Sequence, residues 1–188
     1  MKTKINSILA AAGLIFLASC GGGVSEETKK SVAALDSSMN ALMASANTLV
    51  TDITSACDMC KSMCASADSV SGTVKAEWKG KADSAAMDCK ASMAEFENIM
   101  NTAKAAAEGW ASDTTWASFK NAVEKGTIKD AEAKKELENW MAKYNDANTK
   151  VTEWTTAYNS AKEKCMKGEE AWKNFMAWVG TQDTKKKK

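Results

Sequence analysis

The chain has 188 residues, with 25 basic residues (all lysine) against 24 acidic ones, and no histidine, arginine or proline. A net charge near zero argues against a nucleic-acid partner, which would demand a basic face. Without histidine or arginine the chain lacks the usual neutral-pH general base and the usual bidentate clamp for phosphate or carboxylate, so an enzyme is not expected. Proline averages about 5% of residues, and its absence fits a protein built almost wholly of uninterrupted helix.

The first element is an export signal. Lys2 and Lys4 form a positive start, residues 5–17 are uncharged and largely apolar, and Leu17-Ala18-Ser19-Cys20 closes the run with small residues before a cysteine. The apolar run is shorter than the ~20 residues needed to span a bilayer. Leu17-Ala18-Ser19-Cys20 resembles the lipobox of bacterial lipoproteins. The resemblance implies removal of residues 1–19, a diacylglyceryl thioether and an N-acyl group on Cys20, and no other cofactor. It implies anchoring by lipid in the bacterial cell envelope, with the outer membrane favoured and the domain facing the periplasm or the surface. Residues 20–28, starting Cys20-Gly21-Gly22-Gly23, are expected to be the lipidated cysteine and a flexible tether. Ser25, followed by Glu26 and Glu27, reads as a helix cap with acids placed to complement the dipole.

Residues 29–180 form the expected domain. Apolar residues recur every seven positions from Val32: Val32, Met39, Ala46, Ile53, Cys60, Ala67 and Val74 at heptad a, and Leu35, Leu42, Leu49, Ala56, Met63 and Val70 at d. This helix should stop at Gly72. A second run, from Ala82 through Cys89, Phe96 and Ile99 to Ala106, should stop at Gly109. A short helix over 114–125 follows, capped by Ser112 or Asp113 and stopped by Gly126. In the last run Leu137, Tyr144, Val151, Tyr158, Cys165, Trp172 and Val179 fall at a, with Ala133, Trp140, Ala147, Trp154, Ala161, Gly168 and Phe175 at d. Thr127 and Asp130 make its capping pair, Gly168 is a place for a kink, and Gly180 ends it. The expected fold is all-α: an elongated, antiparallel, up-down-up three-helix coiled-coil-like bundle, with a short extra helix at one turn. Residues 181–188 are expected to be a disordered lysine-rich tail.

Five cysteines remain once Cys20 carries lipid. Cys57, Cys60 and Cys64 share one helix face. A turn centred on Gly72 and Thr73 would put Cys89 level with position 56, beside Cys57. An offset near 103 between the parallel first and last helices would align their starts and bring Cys165 to Cys60 or Cys64. Two disulfides are therefore expected, Cys57–Cys89 and Cys165 with Cys60 or Cys64, leaving one thiol over. Reduced core thiols are the plain alternative. No metal is expected, but Cys57, Cys60 and Cys64, interleaved with Met59 and Met63, also form a set suited to Cu(I) or zinc. That segment loosely resembles bacterial copper-storage bundles.

The seam aromatics Trp140, Tyr144, Trp154, Tyr158 and Trp172 are expected to pack against alanines of the other helices. Trp110 and Trp116 flank the turn nearest the lipid, where they either touch headgroups or staple the turn. The lipid anchor, helical rod and lysine-ended tail together resemble the layout of the murein lipoprotein family, which implies peptidoglycan contact. The expected function is that of a non-enzymatic, membrane-anchored rod acting as spacer or protein-interaction module. Its expected partners are the membrane and either another envelope protein or peptidoglycan, and a thiol-based metal binder is the alternative.

Overall fold

The structure, a computed structural model, describes residues 23–185. The lipobox, Cys20 and residues 1–19 lie outside the described residues. Helix α1 spans Glu26–Ser71, α2 Lys79–Ser112, α3 Thr115–Glu124 and α4 Asp130–Lys185, with a 3-10 turn at Ala76–Trp78. Among the described residues there is no strand, and the fold is the all-α helical bundle expected from the heptads.

The α1–α4 pair sets the register of the molecule. Ser25 N–H donates to Asp130 Oδ1 at 2.8 Å, across 105 residues of sequence. Cys60 and Cys165, also 105 residues apart, are joined by a disulfide. The same offset therefore holds at two points about 52 Å apart along α1. Fifteen heptads of seven make 105, so every a position of α1 meets an a position of α4, and every d a d. The core divides accordingly. Val32 and Leu35 share one apolar cluster with Leu137 and Trp140. Leu42 and Ala46 pack with Ala147 and Val151, Ile53 and Ala56 with Tyr158 and Ala161, and Ala67 with Trp172. Trp172 of α4 meets the small Ala67, Ala82 and Ala86, as expected for such a layer. Trp140, however, packs on Trp116, Trp154 on Trp110 and Tyr158 on Phe96, aromatic against aromatic where alanines were expected.

The second pass is a broken helix. Cys89 of α2 faces Cys64, and Trp116 of α3 donates from Nε1 to Asp36 Oδ1 at 2.7 Å. Advancing 27 residues from Cys89 to Trp116 thus retreats 28 from Cys64 to Asp36, so α3 continues the line of α2 antiparallel to α1. The extra helix is no appendage at a turn; it completes the middle pass and covers the seam between the starts of α1 and α4. The break falls at Asp113, whose backbone is extended (φ −75°, ψ 101°) and whose carboxylate accepts from the Thr115 N–H at 2.9 Å. Gly126, at φ 65°, makes the sharp turn into α4.

Several expected boundaries are corrected. The flexible stretch assigned to 20–28 cannot extend past Val24, which is buried; Ser25 is a helix cap whose Oγ accepts from Thr28 N–H, and the domain begins before residue 29. Thr127 and Asp130 do not form a capping pair, because Thr127 Oγ1 donates to Ala122 O and Asp130 serves Ser25 and Thr28 instead. Helix α2 runs through Gly109, and α4 runs through Gly168 and Gly180 to Lys185. The tail expected to be disordered from 181 is therefore helical as far as Lys185; residues 186–188 lie outside the described ones. Helix α4 does not break at Gly168. There it comes close to α2: a Cβ built at Gly168 would stand 2.8 Å from the backbone nitrogen of Cys89.

Candidate functional site

The chemistry-bearing residues of the described chain converge in one slab of core where α1, α2 and α4 all contribute sulfur. Heptad a places Cys60 on the seam facing α4, and Cys64, one turn on, faces α2. The approach at Gly168 draws α2 inward at Cys89. Cys60 and Cys165 are bonded, while Cys64 Sγ and Cys89 Sγ stand 2.9 Å apart as thiols. Cys89 also donates to the Cys60 carbonyl at 3.4 Å. All five cysteines are buried, sealed by Phe96, Tyr158 and Ile53. Burial, reinforced by the adjacent Cys64, pushes the Cys89 thiol up to about 12. At neutral pH Cys89 is therefore protonated, and inert towards soluble electrophiles.

The disulfide between Cys165 and Cys60 is one of the two partnerships that the helix offset allows. Cys57 is not paired with Cys89: it is a free buried thiol, and Cys89 meets Cys64, one heptad further along α1. The reason lies in the connection. It is not a tight turn at Gly72 and Thr73, because the added 3-10 turn at Ala76–Trp78 lengthens it and slides α2 by that heptad. The candidate metal set Cys57, Cys60 and Cys64 is likewise not three available thiols, since Cys60 is bonded to Cys165. Met63 packs against the core, but Met59 is 43% exposed.

Two polar clasps sit at the end where α1 and α4 start. Asp130 accepts from Ser25 N–H and from Thr28 Oγ1, each at 2.8 Å, and pairs with Lys134. These contacts, the Lys134 hydrogen bond foremost, hold its carboxyl well below the usual range. Asp36 accepts from Lys120 and from the Trp116 indole, which lowers its pKa also. Trp116 is accordingly buried, ring to edge against Trp140, and Trp110 stacks on Trp154. Both therefore staple the bundle through ring contacts. Sequence reasoning missed Asp36 because a lone aspartate at an interhelical position looks like solvated surface. Its signal would have been the pairing of Asp36 with Trp116 in the α1–α3 register.

Among the described residues no helix is long and apolar enough to cross a membrane. Comparison with known proteins found no matching family model, no matching curated protein and no matching solved structure.

Proposed function

We propose that this chain is a non-enzymatic, lipid-anchored rod of the bacterial envelope, acting as a spacer or protein-interaction module. The observation that carries this reading is the position of the clasped end. Helix α1 is capped at Ser25, five residues after the lipobox cysteine Cys20, and the same end is tied to the first turn of α4 through Asp130. Only a short link separates the lipid from the rod, and the 56 residues of α4 carry the chain about 84 Å away from it. Further support comes from the core: cysteines sealed from solvent suit a staple better than a reactive site.

The test is processing of the full chain in a bacterium. The expected product begins at an acylated Cys20 and partitions with membranes, and Cys20→Ser leaves an unprocessed precursor without the added lipid mass. A wild-type protein recovered from the aqueous fraction with an unmodified Cys20 would overturn the proposal. A peptidoglycan-contacting spacer is the second reading. It is favoured by the lysine run 185–188 of the sequence, whose first residue, Lys185, ends α4 on the side farthest from Ser25. Muropeptides released by lysozyme should then carry the C-terminal peptide, and their absence removes covalent attachment.

A further inference from the structure

We propose that Cys64 and Cys89 form a second disulfide, so that α1 is cross-linked to both other passes of the bundle within one helical turn and Cys57 is left as the odd thiol. The geometry is already that of a pair about to close. The two sulfurs are 2.9 Å apart, and bonding them moves the pair together by about 0.9 Å, to the usual S–S length. Both side chains are buried and face each other across the α1–α2 seam. No soluble thiol can compete once the slab is sealed. The neighbouring turn of α1 already carries Cys60–Cys165, so the helices are held in register on both sides of the pair. Gly168 adds an independent constraint: the backbone of α4 at that residue abuts Cys89, which limits how far Cys89 can shift toward α4.

The step is an oxidation by thiol–disulfide exchange. Cys64 and Cys89 each give up a sulfur-bound proton, and their S–S bond forms. The two electrons reduce a donor disulfide, protein-borne or small-molecule, to two thiols. Because burial keeps Cys89 protonated in the folded bundle, the exchange belongs to folding, while the thiols are still reachable, and not to the finished rod.

The sequence makes the pairing readable. Trypsin cuts after Lys61, which separates Cys60 from Cys64, and gives peptides 31–61, 62–75, 82–90 and 165–167 for the five bundle cysteines, with Cys20 apart in 5–29. The purified full chain is reduced, unfolded in urea and refolded in a mixture of oxidised and reduced glutathione. It is then alkylated under denaturing conditions and digested without reductant. Expected are 62–75 linked to 82–90, 31–61 linked to 165–167, and, among the five bundle cysteines, alkylation confined to Cys57. The Cys57→Ser variant should keep the 62–75 to 82–90 link at the wild-type yield. Cys64 and Cys89 both recovered alkylated would overturn the proposal, as would peptide 82–90 linked to 31–61 or loss of the link in Cys57→Ser.

Discussion

Replacing Gly168 with alanine adds one methyl group in the middle of α4, and the surroundings decide its sign. Elsewhere the change is favourable, because glycine is about 0.8–1.0 kcal/mol worse than alanine inside a helix. Gly109, inside α2, has nothing within 4 Å of a built Cβ, so Gly109→Ala should gain close to that amount. At Gly168 the new Cβ lies 2.8 Å from the Cys89 nitrogen and 3.3 Å from its Cα and Cβ. No rotamer relieves a clash with backbone. Reaching ordinary contact at 3.4 Å requires α2 and α4 to separate by about 0.6 Å, and such overpacking costs about 1–3 kcal/mol. A backbone obstacle belongs at the upper end of that range, so Gly168→Ala should lose about 1–2 kcal/mol net once the helix gain is subtracted. Urea unfolding of the two variants beside wild type, followed by far-ultraviolet circular dichroism, measures both shifts. Equal stabilisation by Gly168→Ala and Gly109→Ala would refute the close approach.

Removing the α1–α4 disulfide with Cys60→Ser and Cys165→Ser releases a loop of 105 residues and should cost about 4.7 kcal/mol by the chain-entropy estimate. The check is denaturant unfolding beside the oxidised parent. Asp36→Ala leaves the buried Trp116 indole without its acceptor and should cost about 1–3 kcal/mol. Glu95→Ala, breaking the exposed pair with Lys164, should cost under about 1 kcal/mol in the same assay. Acid should weaken the clasped end. The folded-state pKa values of Asp36 and Asp130 lie below the ordinary 3.8, so their contribution is complete above that value and is lost as pH falls through the lowered folded values. Thermal melts from pH 6 down to pH 2 should show that loss, and an Asp36→Asn, Asp130→Asn variant should show a shallower slope.

The heptad pattern made α1 and α4 legible as long parallel partners, and their matching starts set the offset near 103, to within one helical turn. Aligning the two helix starts then left Cys60 or Cys64 for Cys165. The antiparallel partner was harder to place. Its register depends on the length of one connection, and residues 72–78 carry no pattern that fixes that length. A 3-10 turn there shifted α2 by one heptad, which kept its core-facing residues in the core and moved each α1–α2 pairing by about seven positions, that of Cys89 included. Gly168 misled for a related reason. In sequence a mid-helix glycine signals weakness, whereas here its missing side chain is what lets two backbones meet. The glycines at 109 and 180 misled in the same direction, since tertiary packing carries α2 and α4 past residues that would end an isolated helix.

How far the protein reaches from a membrane tests the lipid-anchored rod most directly. Neutron reflectometry of the acylated full chain on a supported bilayer measures the thickness of the protein layer. A rod standing on Cys20 gives density extending about 80 Å from the headgroups, the length of α4. A layer of about 20 Å, one bundle diameter, or no bound protein at all, would contradict it.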